Sequence, residues 1–375
     1  MIPSTVLPVA AARDLPRICI VGPVPPPSGG MANQCEQLVR LLRAEGLAVD
    51  LVRNNAPYRP AWAGHVPLLR AAARLLPYLW QLWQAAGRVR VMHVLANSGW
   101  AWHLFAWPAV MIGRFRGTAV IVNYRGGHAD SFFAKAPRHV LASLQGASLL
   151  VTPSAYLLRV FARHGLSAEV IPNIIDLSRF SAATPQWVGN APHLVVTRNL
   201  EAIYDIPTAL HAFARIRQTL AGARLTVAGS GPELAALKRL AADLGLAESV
   251  RFSGRIDNAQ IPMLYASANC MLNPSTVDNM PISILEAFAS GVPVVSTDAG
   301  GIPDLLSNGN DGLLVPVGDP AAMADAALRV LQEPCLARRL RAAGLATVQQ
   351  YAWPQVRTRW LDAYRRAAAQ AGRAT

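Results

Sequence analysis

Residues 266–316 read ASANCMLNPSTVDNMPISILEAFASGVPVVSTDAGGIPDLLSNGNDGLLVP. Their punctuation sets out a strand, a loop, a helix and a second strand. Met271-Leu272-Asn273-Pro274 closes a short apolar run, and proline stops a strand there because it has no N–H for the ladder. Asp278 and Asn279 are favourable N-cap residues, and Pro281 suits a first helical turn. Ile282, Leu285, Phe288 and Ala289 recur at helical spacing until Gly291-Val292-Pro293 ends the helix. Val294 to Thr297 reads as the next buried strand, closed by Gly300-Gly301. The predicted loop lies at the carboxyl end of a strand, the edge at which open α/β sheets bind ligands.

Glu286 is the odd residue of this helix, a carboxylate between Leu285 and Ala287 on an otherwise apolar segment. A buried carboxylate is costly unless it is hydrogen-bonded. Vicinal hydroxyls of a sugar or ribose would satisfy it, and the free amides of the helix start would accept a phosphate or sugar oxygen. The alternative needs no ligand: Ser283 and Glu286 have the S-x-x-E spacing of a capping box.

The wider pattern is Asp278-x7-Glu286, then AFASGVPVVSTDAGGIPDLL and DGLLVP. It resembles the donor site of the GT-B-fold retaining glycosyltransferases of family 4, where the first acid is usually Glu. The resemblance implies an α/β GT-B fold, two Rossmann-like doubly wound domains facing a central cleft. It also implies transfer from a nucleotide-diphosphate sugar with retention, with no cofactor and no metal ion. Glu286 would bind ribose and Asp278 the donor sugar's hydroxyls. The backbone around Met280, Pro281 and Ile282 would face sugar or phosphate, although Pro281 has no N–H to give.

A chain of 375 residues, 52% hydrophobic, can bury a large core and is expected to form two domains. Cys19, Cys35, Cys270 and Cys335 are far apart with no C-x-x-C or Cys/His spacing, which argues for free thiols and against a zinc site or a disulfide framework. The first 17 residues show no basic stretch before an apolar core, so no signal peptide is read there. The expected location is the cytoplasm. The net charge of +13 is uneven: residues 1–180 hold 18 Lys and Arg against 7 Asp and Glu. A basic first half suggests an anionic partner: phospholipid headgroups, a phosphorylated acceptor or nucleic acid.

Residues 17–22, RICIVG, read as a strand, 31–44 as an amphipathic helix and 47–52 as the next strand. Gly29-Gly30 stand before that helix, a placement that lets backbone approach a ligand. The family has a similar glycine loop that contacts the donor, and the resemblance carries this role onto Gly29 and Gly30. Residues 62–90 combine Trp62, Trp80 and Trp83 with Arg70, Arg74, Arg88 and Arg90. They read either as an interfacial membrane segment or as an ordinary helix packed on the sheet. Residues 91–112 are apolar but broken by Asn97, Ser98, His103 and Pro108, so no membrane span is predicted.

Val120 to Tyr124 leads into Arg125-Gly126-Gly127-His128, similar to the family loop where a His-Gly pair faces the reacting sugar. Arg125 stands where His is usual; either Arg125 or His128 reaches the sugar or acceptor, or both serve the loop alone. Arg is a poor general base but stabilises anionic charge. The segment 170–176 resembles the family's P-N-x-x-D linker. The polar run 181–192 is read as the domain boundary, giving domains 1–180 and 181–352, with a helix over 353–375 crossing back to the first.

In the second half, strands over 194–198, 225–229, 250–254 and 269–272 alternate with helices over 207–220 and 234–244, which indicates a doubly wound parallel sheet. The family pattern R-L-x-x-x-K holds the donor diphosphate. Here Arg198 matches, Asn199 follows it, and Ile203 occupies the Lys position. Arg255 or Arg125 is a candidate to replace the missing cation. The resemblance also brings Gly231, Gly254 and Arg255 toward the nucleotide.

Two other classes compete. Gly229-x-Gly231-x-x-Leu234 approaches a dinucleotide fingerprint, but it lacks the third glycine and the acidic ribose ligand. A sugar-nucleotide-binding protein without catalysis would account for Ile203 and Asp278. A phosphorylase would need a lysine for pyridoxal phosphate, and neither Lys135 nor Lys238 sits in a suitable motif. No nucleic-acid partner is expected, because aromatic residues do not interleave with a basic strand. The partners expected are a nucleotide sugar and a lipid-linked or saccharide acceptor, reached from the inner face of the plasma membrane if the basic half binds anionic lipid.

Overall fold

A computed structural model describes residues 16–27, 29–58, 62, 67–182 and 191–371, with the backbone alone at 67–69 and 371. The reading of the first residues as carrying no signal peptide, and most of the expected boundary at 181–192, lie outside the described residues. The chain forms two compact units, Met1–Ile174 with Trp353–Thr375, and Ile175–Ala352.

The first unit is built on a parallel sheet of β1 (Ile18–Gly22), β2 (Val49–Arg53), β3 (Val91–Ala96), β4 (Ala119–Tyr124), β5 (Leu149–Thr152) and β6 (Glu169–Val170), in the order β2-β1-β3-β4-β5-β6. Strands β1, β3 and β4 are buried along their whole length because helices cover both faces, which explains their near-continuous Val and Ile content. The 62–90 segment becomes the helix Pro67–Ala86, and 91–112 becomes β3, a π-helical turn at Trp102–Ala106 and the helix Trp107–Phe115.

The second unit contains β7 (His193–Val196), β8 (Arg224–Ala228), β9 (Val250–Gly254), β10 (Cys270–Asn273), β11 (Val294–Thr297) and β12 (Leu313–Val315), in the order β12-β11-β10-β7-β8-β9. All pairs are parallel, and Met271 pairs with Val195 and Val294 on either side. This is the doubly wound order that reverses between β7 and β10.

The division falls after Ile174 rather than within 181–192. Ile175 donates its N–H to Tyr351 O at 3.0 Å, and Phe180 belongs to the same core as Ile284, Leu285 and Phe288. Turn-forming composition marks where the chain is polar, whereas the unit ends where packing changes partners.

The helix Trp353–Ala371 packs on the first sheet through Val356, Trp360, Tyr364 and Ala367, in the core that holds Ile18, Ile20, Val91 and Ile121. His93 of β3 stacks on Trp360 with ring centroids 4.5 Å apart, and its Nδ1 lies 2.8 Å from the Tyr364 hydroxyl. Burial pushes its pKa down to about 3, so it is a neutral core histidine. The start of this helix is tied by Glu45, a buried carboxylate that accepts from Trp353 Nε1 at 2.9 Å and from Arg357 Nη1 at 3.1 Å. Removing one partner of a buried pair costs about 3–5 kcal/mol. Glu45→Ala is therefore expected to lower the melting temperature of the full chain by several degrees, with Glu45→Gln losing less because it still accepts from Trp353. An unchanged melting temperature in Glu45→Ala would refute this anchoring.

Candidate functional site

The side chains that matter converge where the second sheet reverses. Arg198 lies just past the end of β7, and the 274–281 loop follows the neighbouring strand β10. Open α/β sheets leave a crevice at that point, because chains leaving adjacent strands diverge to opposite faces.

Arg198 is the hub. One of its terminal nitrogens donates to Asp278 in a close ion pair, and the other donates to Ser283 Oγ at 3.2 Å. Its guanidinium lies over the Tyr204 ring, 4.1 Å from the centroid, a cation–π contact that fixes the plane of the fork. Its Nε is buried with no hydrogen-bond partner. Asp278 accepts from the amides of Asn279, at 2.9 Å, and Met280. Burial raises its pKa, and Arg198 with these amides pulls it back.

Glu286 is half-buried on the helix Ile282–Ala289. Burial pushes its pKa up from 4.5 to about 7, opposed by the charges of Arg179 and Arg198 and by a hydrogen bond with Tyr265. Tyr265 is fully buried and held by Thr197 Oγ1 at 2.5 Å and by the Ser283 carbonyl, to which it donates at 3.0 Å. Arg198, Asp278 and Glu286 thus share one network.

Local geometry corrects two details of the sequence reading. The helix has Pro281 at its N-cap and no side-chain cap bond, so Asp278 and Asn279 are not its cap. Ser283 is its second residue and turns to Arg198, so there is no capping box with Glu286. Two glycines permit the close approach of loops behind the pair. A Cβ on Gly231 would overlap the Leu200 carbonyl oxygen, and one on Gly300, at φ +57°, would overlap the Asp278 carbonyl oxygen. Gly301 N also donates to Asp278 O at 2.8 Å, fixing the loop from behind.

The other expected residues are distributed as follows. Asn199 is exposed, with its side chain donating to Glu201 at 3.0 Å. Gly254 ends β9 with φ +67° and accepts from Gly229 N at 2.9 Å, and Arg255 beyond it is exposed. Met280 is buried with its amide turned to Asp278, while Ile282 opens the helix half-buried. Ile203 offers no charge; its carbonyl accepts Thr276 N at 2.8 Å and Thr276 Oγ1 at 3.0 Å.

In the first unit, Gly29 is the N-cap and Gly30 the first residue of the helix Gly30–Ala44, and a Cβ on Gly29 would meet nothing within 4 Å. Packing therefore does not demand glycine at 29. Arg125 follows β4 and donates to Asn173 in a close hydrogen bond; burial lowers its pKa to about 10. His128 is exposed, and its carbonyl accepts Phe132 N at 3.0 Å as the helix Ala129–Lys135 begins.

Sequence reasoning missed Arg179, Tyr204, Ser283 and Tyr265. Arg179 bears electrostatically on Glu286, and it donates to the Asn258 carbonyl in a close hydrogen bond. Tyr204 and Ser283 adjoin Ile203 and Ile282 in the chain, yet nothing in a one-dimensional pattern aims an adjacent side chain at Arg198. Among the described residues, no three His, Cys, Asp or Glu side chains gather as a metal ion would require.

Comparison with known proteins adds the following. Residues 28–179 match a family profile described as Glycosyltransferase Family 4, and residues 191–333 match one described as Glycosyl transferases group 1. A GDP-mannose-dependent alpha-(1-6)-phosphatidylinositol monomannoside mannosyltransferase from Mycobacterium tuberculosis is 26% identical over 92% of this chain and 97% of its own length. The phosphatidyl-myo-inositol mannosyltransferase of Mycobacterium leprae is 32% identical over 53% of this chain, which spans about half of that relative, 54%. Among solved structures, sucrose-phosphate synthase from Thermosynechococcus elongatus superposes with a TM-score of 0.75 at 21% identity, covering 94% of this chain and 100% of that one. Anabaena HepE in complex with UDP-glucose gives 0.69 at 16% identity, covering 91% and 97%. At these identities the structural likeness is one of fold.

Proposed function

Since the chain belongs to glycosyltransferase family 4, of the group 1 type and with the GT-B fold, we propose that it moves a sugar from a nucleotide-diphosphate sugar to an acceptor hydroxyl. In this reading the anomeric configuration is retained and no metal ion or cofactor takes part. The observation that carries it is the convergence of Arg198, Asp278 and Glu286 at the reversal point of the second sheet. A fixed cation meets the diphosphate, and a carboxylate beside it meets ribose.

As the sugar C1–O bond to phosphate breaks, charge grows on the diphosphate and Arg198 stabilises it. The departing phosphate oxygen takes the acceptor's proton while the new C1–O bond forms on the same face. Asp278 orients the sugar's hydroxyls, and the amide edge of the Ile282–Ala289 helix faces sugar or phosphate. Arg125 and His128 serve the acceptor from the first unit, and Gly29-Gly30 bring backbone toward the donor. Two features support a lipid-linked or saccharide acceptor at the inner face of the plasma membrane. One is the basic first half; the other is the phosphatidylinositol chemistry named for the mycobacterial relatives. The cellular role that fits is surface polysaccharide or glycolipid assembly.

Ile203 favours a second reading, a protein that binds nucleotide sugar without turning it over, because one of the two usual diphosphate cations is absent. A panel of UDP- and GDP-sugars separates the readings. Ligands that bind only the folded state raise its melting temperature, and slow hydrolysis of the same donor reports chemistry. A rise with release of nucleoside diphosphate supports transfer, and a rise without any release supports the binder. No rise with any donor sinks both.

A further inference from the structure

The stretch 97–106, just past β3, departs from regular structure twice. Gly99 turns the chain at φ +67°, and the helix begun at Trp100 widens into the π-helical turn Trp102–Ala106. Such turns spend an extra residue and are frequent at functional sites. Here Trp102 enters the core, 6.3 Å from the Tyr124 ring, and its indole N–H is buried with no hydrogen-bond partner. Trp100 stands on the outside, 78% exposed. His103 meets it edge-on with ring centroids 6.1 Å apart, and lies 6.2 Å from Phe132 and 5.7 Å from His139. Phe132 and His139 come from the helices Ala129–Lys135 and Arg138–Gln145, so the rings form one partly exposed wall.

A single exposed apolar residue means little. What sets Trp100 apart is its polar company. Asn97 is exposed, and its Oδ1 accepts from Ser98 N at 2.8 Å, so its NH2 end is the side left to donate. The two imidazoles add further hydrogen-bonding nitrogens. This edge abuts the Arg125–His128 loop: a Cβ on Gly126 would overlap Ser98 Oγ and Asn97 Oδ1, and the His128 carbonyl accepts from Phe132 N. The wall therefore lies at the carboxyl ends of the neighbouring strands β3 and β4, the edge at which open α/β sheets bind ligands.

A pyranose ring has the same division of character, with C–H groups on its faces and hydroxyls on its rim. A hydrocarbon chain has nothing to answer an amide and two imidazoles, and a simple polyol has no flat apolar face to lay on an indole. We propose that Trp100 is the platform on which a sugar ring of the acceptor stacks, with Asn97 and His103 holding its hydroxyls. The acceptor class is then a saccharide, free or carried on a lipid. Ring binding does not depend on transfer; only the ring's service as acceptor rests on the proposed function.

The test uses the full chain with the methyl pyranosides of glucose, galactose and mannose, and with glycerol as a polyol that has no ring. Saturation-transfer NMR reports binding without any donor, and release of nucleoside diphosphate from the donor reports chemistry. Wild type is expected to saturate the ring C–H protons of at least one glycoside and not those of glycerol. Trp100→Ala is expected to weaken that binding about tenfold or more, the scale of an aromatic anchor lost from a contact. Its melting temperature should hold, because the ring it removes is exposed. Trp100→Phe keeps a stacking face and should recover most of the loss. With the glycoside as acceptor, Trp100→Ala should raise KM by a similar factor and leave kcat within about twofold. Met263→Ala removes a side chain 75% exposed in the second unit and should change neither. Transfer to a methyl glycoside would identify a free saccharide acceptor, and transfer only to the matching octyl glycoside a lipid-borne one; both uphold the platform. No glycoside binding by wild type, or equal binding by Trp100→Ala, overturns it. So does Trp100→Ala losing flotation with phosphatidylcholine vesicles while keeping the glycoside, which would make Trp100 a lipid contact. Donor turnover without glycoside binding would remove the platform and leave the proposed function standing, whereas Trp100-dependent glycoside binding without donor turnover would do the reverse.

Discussion

Arg198→Ala is expected to reduce transfer from the nucleotide sugar by about a hundredfold or more, on the scale set by removing one fixed donor from a developing oxyanion. The effect should be severe because Ile203 leaves Arg198 without the lysine that the family pattern places beside it. Arg198 is also prepared by its surroundings: Tyr204 holds the guanidinium plane and Ser283 holds one terminal nitrogen. The same substitution removes the opposite charge from Asp278, whose pKa burial already raises, and the carboxyl should then protonate more readily. Arg198→Lys keeps a charge but loses the planar fork and its stacking, so its activity should fall between the two. The measurement is initial rate under saturating donor, with the melting temperature checked to confirm folding. Wild-type rates in a folded Arg198→Ala protein would remove Arg198 from the chemistry.

Glu286→Gln should weaken donor binding roughly 10- to 150-fold, the range for one charge-assisted hydrogen bond of about 1.5–3 kcal/mol. Its second signature is the pH profile. The Glu286 carboxyl titrates at about 7 because burial disfavours its charge. Ribose hydroxyls donate, so the ionised form is the one that binds. Donor affinity should therefore rise with pH from 6 to 8, level off above, and fall by up to tenfold per unit below about 7. The glutamine variant should show no such slope. Stability of the free protein should move the other way. The folded-state value lies above the ordinary 4.5, so this group's contribution is present below that value and is lost as pH rises through about 7. Donor titrations by calorimetry across this range would decide it; a flat wild-type profile would remove Glu286 from the ribose.

Much of this architecture was readable in one dimension. The strand over Val294–Thr297 and the helix over Ile282–Ala289 stand where Gly, Pro and apolar spacing put them. Alternating strands and helices required a parallel sheet, because each βαβ crossover returns the chain in the same direction. The second unit continues past β12 in two helices, Pro320–Gln332 and Pro334–Thr347, separated where Pro334 has no N–H to continue the first.

The amino-acid sequence by itself determined two alternating α/β halves, the buried strands, and the places of Arg198 and Asp278 beyond strand ends and of Glu286 within the following helix. Those features depend on local sterics, missing N–H groups and hydrophobic periodicity, all of which act within a few residues. Only the tertiary structure decided that Asp278 faces Arg198 across 80 positions, that Ser283 serves Arg198 rather than a cap, and that Arg179 and Tyr265 tune Glu286. It also decided that the unit ends at Ile174. Pairing of this kind depends on which strands the sheet order makes neighbours, and strand order is a property of the packed chain that no local stretch encodes.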